Sequence, residues 1–407
     1  MNSKLYHSPF NIVVLAAGLG FFVDTFDLFL FNVYRIPSLK ELGFSGTDLT
    51  SAGEFLLSIQ MLGMMIGGII SGIIADKKGR VTVLFGSIIL YSLANILNAF
   101  VYDLNSYALI RFIAGVGLAG ELGAGISLVG ESMSIEKRGY GTILVATLGG
   151  LGAVTAGLVG DFLPWRTAFL VAGGLGFLLL LLRVKAMETN IFKDSLRKEQ
   201  PRGSFFHLFK SRERIFKYFA CILVGVPIWY SVGLLITLSP ELALEHHIDY
   251  LKLGLCFILF QVGITTGDLS SGIFSQLFRS RKKILIAYMV FAILGTILHF
   301  IQLYQSGSIY VTSLLMGIGC GYLSVFVTST SEHFGTNLRV TATATVTNFM
   351  RGAVTILIPL RIWIQEMGSI SLSQSLIFTG IIVWSVALIA VLWLPETYGR
   401  NLDYLEE

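Results

Sequence analysis

Residues 51–80 read SAGEFLLSIQMLGMMIGGIISGIIADKKGR, a long apolar run that ends in a short charged turn. About 20 mostly apolar residues are enough to cross a bilayer as a helix. The apolar residues of this run do not alternate with polar ones, which excludes a strand of a membrane barrel. This stretch therefore predicts a membrane-spanning helix followed by a loop at the membrane surface.

Similar runs recur along the whole chain. Its 407 residues are 54% hydrophobic and only 13% charged, whereas a soluble domain carries about a quarter charged residues. The net charge of +4 is too weak for a basic nucleic-acid-binding protein. We therefore predict an all-α integral membrane protein. Its twelve transmembrane helices are expected near 11–33, 51–74, 81–100, 107–129, 141–163, 165–182, 217–238, 253–277, 284–304, 308–330, 342–364 and 373–394.

The basic residues predict the orientation of these helices. If both termini lie on one side, that side holds 22 of the 29 Lys and Arg residues, and the other side holds four. Because basic loops stay cytoplasmic, we expect both termini in the cytoplasm and a multi-pass protein of the plasma (inner) membrane. The first apolar run is too long for a cleaved signal peptide.

The sequence contains no pattern for a catalytic or metal centre. Cys221, Cys256 and Cys320 all fall inside predicted spans, where small packing residues are expected. No nucleotide loop, zinc motif or nucleophile motif is present. We therefore expect no enzyme, no cofactor and no metal.

The two halves of the chain repeat each other. Glu131 and Arg138 follow the fourth span, and Glu332 and Arg339 follow the tenth with the same spacing. Parallel six-helix repeats around a central site are typical of transporters. The predicted organisation is an N-terminal bundle over 1–182, a cytoplasmic linker over 183–216 and a C-terminal bundle with a short cytoplasmic tail over 217–407.

Four short motifs resemble those of the major facilitator superfamily. They are GIIADKKGR at 72–80, RFIAGVGLAGE at 111–121, SEHFGTNLR at 331–339 and PETYG at 395–399. The last three are similar to the sugar-porter and organic-solute:proton symporter branch. The resemblance implies two pseudo-symmetric six-helix bundles that work by alternating access, without identifying the substrate.

The resemblance also implies gating residues on the cytoplasmic side. Asp76 would face the N-terminal end of the eleventh span in one state and release it in the other. Glu121 lies about 80° round its helix from Arg111, so it could belong to this gate. The predicted gating residues are Asp76, Gly79, Arg80, Glu121, Glu131, Arg138, Glu332 and Arg339.

Ionisable side chains inside spans are candidates for function, because burying a charge in the membrane is unfavourable. Asp24 and Asp27 lie one turn apart in the first span, and Arg111 lies in the fourth. Related proton-coupled porters pair such an aspartate with such an arginine. We expect Asp24 or Asp27 to couple protons together with Arg111, and a static ion pair is the alternative.

Arg351, near the middle of the eleventh span, could bind a carboxylate or phosphate through both of its nitrogens. Glu54 could simply be solvated, and Arg361 could reach water by snorkelling. Polar and aromatic side chains in the inner spans are further candidates for substrate binding, although the aromatic ones could be packing residues. The substrate-binding candidates are Gln60, Trp229, Tyr230, Gln261, Tyr322, Asn348 and Arg351.

The predicted function is that of a secondary transporter. The first hypothesis is proton-coupled uptake of a small polar organic solute, and Arg351 would suit an anionic one. The alternatives are a proton-antiporting exporter of a drug or metabolite and a non-transporting membrane receptor. Expected partners are a small-molecule substrate, protons and the lipid bilayer, with no nucleic acid, and we expect a monomer.

Overall fold

The computed structural model describes residues 12–78, 80–132, 138–160, 162–187, 205–248, 251–305, 308–335 and 338–399. Within these ranges the chain forms helices joined by short turns, and they contain no strand. Eight continuous helical segments are long and apolar enough to cross a membrane, and two shorter apolar helices accompany them. The predicted all-α membrane fold is thus confirmed.

The described part of the first half contains six helices that correspond to the first six predicted spans. They are α1 (Ile12–Glu41), α2 (Gly46–Lys78), α3 (Arg80–Asn98), α4 (Leu104–Ser132), α5 (Arg138–Val159) and α6 (Trp165–Met187). Helix α1 packs against α5, while α4 packs against both α2 and α3. Helix α1 continues eight residues beyond its predicted end, so its last turns lie outside the apolar run.

The second half repeats this plan with more interruptions. After a 3₁₀ turn at Phe205–Phe209, its helices are α7 (Arg212–Tyr230), α8 (Ser239–Glu245), α9 (Leu253–Leu277), α10 (Arg281–Tyr304), α11 (Ile309–Cys320), α12 (Leu323–Glu332), α13 (Arg339–Gly352), α14 (Val354–Gly368) and α15 (Leu372–Trp393). The seventh predicted span consists of α7 and a π-helical turn at Ser231–Ile236. The tenth and eleventh spans are each divided into two helices.

The tenth span is broken at Gly321, and the break is stabilised by a neighbouring helix. A carboxylate oxygen of Asp268 in α9 accepts a hydrogen bond from the backbone nitrogen of Ser324 at 2.6 Å. Glycines let the two helices touch here, because a Cβ on Gly267 would lie 2.9 Å from the Cα of Gly321. Asp268 is therefore engaged as a helix cap in the membrane, where a free N–H group would be unfavourable.

The two halves meet along two pairs of spans. Helix α5 packs against α9, and α2 packs against α13 and α14. Gly157 and Gly254 face each other in the first contact, since a Cβ on Gly254 would lie 2.8 Å from the Gly157 carbonyl oxygen. Large apolar side chains such as Phe100 and Leu277 cover the outside of the bundle, as expected for a surface in contact with lipid.

Glu396, in the segment that follows α15, caps the N-terminus of α10. Its carboxylate accepts hydrogen bonds from the Ser280 hydroxyl and from the backbone nitrogens of Arg281 at 2.9 Å and Lys282 at 3.2 Å. Partial burial alone would raise the pKa of Glu396, but these hydrogen bonds outweigh it and lower the pKa from 4.5 to about 2. Glu396 of the PETYG segment thus connects the segment after α15 to the N-terminus of α10 by hydrogen bonds.

Candidate functional site

Asp27 faces Arg111 inside the first half. Both side chains are completely buried, and 3.8 Å separates Nη1 of Arg111 from Oδ1 of Asp27. The guanidinium group also donates to the amide oxygen of Asn95 at 3.0 Å. It lies over the rings of Phe31 and Phe169, at 5.5 and 4.9 Å from their centroids. Arg111 is therefore held by contacts from α1, α3 and α6, and of the two candidate aspartates Asp27 is the one beside it.

Asp24, one turn earlier, faces the other half instead. Its Oδ2 lies 3.8 Å from Nη1 of Arg351 at the end of α13. The guanidinium carbon of Arg351 lies 5.5 Å from the centre of the Trp229 ring. Arg351 is buried, and neither its Nε nor its Nη1 donates a hydrogen bond to a described residue. The interface between the halves thus contains a buried arginine beside an aromatic ring, with only an ion-pair contact to Asp24.

Glu121 forms a third buried pair, in the first half. Both of its carboxylate oxygens accept hydrogen bonds from Arg183 near the end of α6, one of them at 3.1 Å. Arg183 also donates to the carbonyl oxygen of Ala16 at 3.2 Å. The sequence placed Arg183 at the start of the cytoplasmic linker, but it is a buried part of the bundle, and Glu121 contacts it.

Four alternating charges join the halves at the end of the bundle that the loop charges predict to be external. Arg35 lies 2.5 Å from Glu241, and Arg361 lies 2.5 Å from Glu54, measured between nitrogen and oxygen. Each pair joins a residue of the first half to one of the second. We call these four residues the outer charge cluster. Glu241 is 11% exposed at its side chain, and the other three are at most 5% exposed.

This cluster corrects three expectations from the sequence. Arg361 does not snorkel, and Glu54 is not solvated, since they bury each other. Arg35 was counted with the external loops, but its guanidinium is buried and also donates to the Thr237 carbonyl oxygen at 3.0 Å. Gly53 makes room for it, because a Cβ there would lie 2.6 Å from Nη1 of Arg35.

Two aromatic candidates hydrogen-bond within the second half. The Tyr230 hydroxyl donates to the Leu376 carbonyl oxygen at 2.7 Å, and the Tyr322 hydroxyl donates to that of Val224 at 3.0 Å. Successive helical residues project about 100° apart, so Tyr230 points away from the direction of Trp229. These bonds place both tyrosines in the packing between helices of one half.

The amide candidates occupy different places. The Asn348 nitrogen donates to the Ala119 carbonyl oxygen at 3.1 Å and so bridges α13 and α4 across the interface. Gln60 is fully buried, and its amide has no hydrogen-bond partner among the described residues. The Gln261 nitrogen would lie 3.5 Å from a Cβ on Gly150, which places it where α9 meets α5.

The predicted gating residues are only partly visible. Glu332 accepts a hydrogen bond from Arg281 at 3.3 Å. Arg339 donates to the carbonyl oxygens of Ser331 at 3.0 Å and Phe334 at 3.3 Å. The following lie outside the described residues and side chains: Gly79 and the side chains of Asp76, Arg80, Glu131 and Arg138.

Sequence reasoning missed several members of these clusters. Arg35 was counted among the basic residues of the external side, and Glu241 and Asn95 were not singled out. A usable signal existed for the outer charge cluster, since opposite charges stand at the predicted external ends of spans from both halves. Within the described residues, no group of three His, Cys, Asp or Glu side chains could hold a metal ion.

The fold and the buried interfacial charges define a polytopic membrane protein built from two helical bundles. A family profile for the Major Facilitator Superfamily matches residues 17–359. The chain therefore belongs to the Major Facilitator Superfamily, as the sequence motifs indicate.

Three comparisons describe the relatives. The putative niacin/nicotinamide transporter NiaP of Bacillus subtilis (strain 168) is 24% identical over 343 residues, which cover 82% of this chain and 84% of that protein. The benzoate transport protein of Acinetobacter baylyi is 31% identical over 199 residues, which cover 47% of this chain and 41% of that protein. The solved structure of the proton:xylose symporter XylE matches with a TM-score of 0.70 at 16% identity, over 96% of this chain and 97% of that one.

These relatives are transporters and not enzymes, and the same holds for the family. The chain is therefore a multi-pass membrane transporter of small organic solutes. The likeness to XylE supports the arrangement of the helices alone, because its sequence identity is low.

Proposed function

We propose that this transporter takes up a small aromatic monocarboxylate together with a proton, by alternating access between its two halves. The observation that carries the proposal is Arg351, a buried arginine at the interface with two N–H positions not engaged by described residues. An arginine N–H donates a strong, charge-assisted hydrogen bond to a carboxylate, which suits an anion in a site of low dielectric constant.

Trp229 supports an aromatic substrate. Its ring already lies against the Arg351 guanidinium, so an aromatic acid bound to the arginine would find an aromatic neighbour. Aromatic rings in contact contribute about 0.5–1.5 kcal/mol beyond the burial of their area. Asn348, one turn before Arg351, provides a nearby polar group at the same interface.

The relatives support the same class of substrate. Their names give niacin or nicotinamide and benzoate as transported compounds. Niacin and benzoate each carry one carboxylate on a six-membered aromatic ring. That chemistry matches one arginine next to one aromatic side chain better than it matches a sugar, which needs several neutral hydrogen-bonding groups.

The remaining assignments belong to the same proposal. One of the two aspartates Asp24 and Asp27, together with Arg111, is proposed to couple transport to protons. We propose that both termini are cytoplasmic in the plasma membrane, that the halves divide between α6 and α7, within the predicted linker at 183–216, and that the protein works as a monomer. The predicted gating residues on the cytoplasmic side keep that role in the proposal.

The test is transport by purified protein in proteoliposomes. Radiolabelled benzoate and nicotinate are added outside while the external pH is lowered relative to the interior. We expect accumulation that requires the gradient and disappears when a proton ionophore is added. Accumulation only with the reverse gradient would support the exporter instead.

A matched pair of variants tests the arginine. Arg351→Gln removes the charge, and we expect the affinity for benzoate to fall by about 1.5–3 kcal/mol, the range for hydrogen bonds to charged groups. Arg166→Gln removes a partly exposed arginine at the outer end whose ion pair with Glu41 does not join the halves, so we expect its affinity to stay close to wild type. Equal affinities in Arg351→Gln and wild type would contradict the anion site.

A further inference from the structure

The two aspartates of α1 differ in how they are held. Asp27 shares its arginine with Asn95 and two phenylalanine rings, all within the first half. Asp24 contacts only Arg351 among charged partners within 4 Å in the described chain, and it does so across the interface. Neither oxygen of Asp24 accepts a hydrogen bond from a described residue. Asp24 is thus a weakly held counter-ion on the arginine that the proposed function assigns to the substrate.

We propose that Asp24 is the displaceable counter-ion of Arg351: the substrate carboxylate takes its place on the guanidinium, and Asp24 takes up one proton. This inference rests on the proposed function. It adds the step by which binding of the substrate anion is coupled to uptake of a proton.

The proposal follows from the charge balance of the buried site. The two acids that act electrostatically on Asp24 are Asp27 and Glu121, and each has its own arginine, as Asp24 has Arg351: Asp27 pairs with Arg111, and Glu121 with Arg183. A bound carboxylate adds one negative charge that has no partner. An unpaired buried charge is strongly unfavourable, so one acid must become neutral when the anion binds.

Asp24 is the acid best placed to do so. Glu121 accepts two hydrogen bonds from its arginine, and protonation would break one of them and remove the charge that strengthens the other. Asp27 keeps its own arginine whether or not an anion occupies Arg351. The groups close enough to act electrostatically on Asp24 are Arg351, Glu121, Asp27 and Tyr91. Of the acids whose side chains the structure describes, only Asp24 lies within 4 Å of the arginine that the substrate would bind.

The exchange conserves charge and atoms. A proton from water forms an O–H bond with the Asp24 carboxylate, and the ion-pair contact with Arg351 breaks. The substrate carboxylate then accepts hydrogen bonds from Arg351. On the other side of the membrane the substrate leaves, the proton returns to water, and Asp24 contacts Arg351 again. One anion and one proton move together, so transport carries no net charge.

The experiment measures benzoate and nicotinate binding to the purified protein by calorimetry between about pH 6 and pH 9, where both acids are ionised. If one proton enters with each anion, the wild-type affinity falls by about tenfold for each unit of rising pH in the linked range. Asp24→Asn should bind with little dependence on pH and should lose gradient-driven accumulation while retaining exchange of labelled for unlabelled benzoate. The matched control, Asp27→Asn, should keep the pH dependence of binding.

Each contrary outcome has a separate meaning. If wild type accumulates benzoate with the gradient but Asp24→Asn keeps the pH dependence, the exchange at Arg351 is wrong and the proposed function stands. If the pH dependence disappears in Asp27→Asn instead, Asp27 is the coupled group and the inference is overturned. If wild type neither binds nor accumulates either acid, the proposed function fails and the inference fails with it.

Discussion

Breaking the outer charge cluster should open the transporter towards the predicted external side. Glu241→Gln removes the acid that faces Arg35 across the two halves at 2.5 Å. Arg35 would remain buried with its Thr237 contact but without this counter-charge. An open interface would let water reach the guanidinium, so the substitution destabilises the closed form selectively.

The size of the effect follows from burial. Removing one partner of a buried ion pair costs about 3–5 kcal/mol. The Glu241 side chain is 11% exposed, and Glu54 lies close enough to influence the same cluster, so we take the lower end. Since about 1.4 kcal/mol is a tenfold change, roughly 3 kcal/mol shifts the equilibrium about 100-fold towards the open form.

Distances between spin labels can measure this shift. Phe162→Cys and Leu244→Cys place labels on exposed side chains at the outer ends of different halves, 79% and 69% exposed. The native cysteines are buried and should not be labelled. We expect a longer label-to-label distance to become populated in Glu241→Gln.

The control breaks a similar ion pair that does not join the halves. Glu41→Gln removes the acid that contacts Arg166 at 3.0 Å, with both residues at the outer end of the first half. We expect its distance distribution to match that of wild type. If Glu241→Gln gives the wild-type distribution as well, the cluster does not hold the outer side closed and the reasoning is refuted.

Three further predictions concern a buried ion pair, a close helix contact and a helix cap. Glu121→Gln weakens a buried ion pair, so we expect thermal unfolding of the purified protein to show a loss of about 3 kcal/mol, and an unchanged melting temperature would contradict it. Gly319→Val should prevent stable folding because even its Cβ would lie 2.4 Å from the backbone of α10, whereas Gly272→Ala, with its nearest neighbour 3.7 Å away, should give a normal size-exclusion profile. The lowered pKa of Glu396 stabilises the fold above its ordinary value of 4.5, and this stabilisation is lost as the pH falls towards about 2. Glu396→Gln should therefore melt below wild type at about pH 7, and the difference should shrink below about pH 4.

The helices could be predicted from the sequence because each depends on local composition. An apolar run of sufficient length must form a helix in a bilayer, where no other single segment satisfies its own backbone. The interruptions were harder to foresee. The break at Gly321 depends on Asp268, more than 50 residues earlier in the chain, and no pattern near Gly321 reveals that the carboxylate is there.

For the candidate site, too, the sequence predicts some features and not others. A charge inside an apolar run is visible in the sequence, so Asp24, Asp27, Arg111 and Arg351 could be selected. Their pairing could not be predicted, because Asp24 meets a residue 327 positions later while Asp27, one turn away, meets a residue of its own half. Charges at the ends of spans were misread for a related reason. Arg35 resembles a loop residue until a partner from the other half buries it.

The Asp24–Arg351 contact also accounts for obligatory coupling. Four occupancies are possible when the outer side is closed. With the site empty, Asp24 neutralises Arg351, and with both anion and proton bound the charges again cancel. With the anion alone one buried negative charge is unpaired, and with the proton alone Arg351 is unpaired, so both closed states are unfavourable by several kcal/mol. The halves can therefore move past each other only when empty or fully loaded, which is the condition for symport. Replacing Asp24 by asparagine lets the anion alone neutralise Arg351, but it leaves the empty site with an unpaired arginine. The variant should therefore exchange external for internal benzoate without net uptake and without response to a proton gradient.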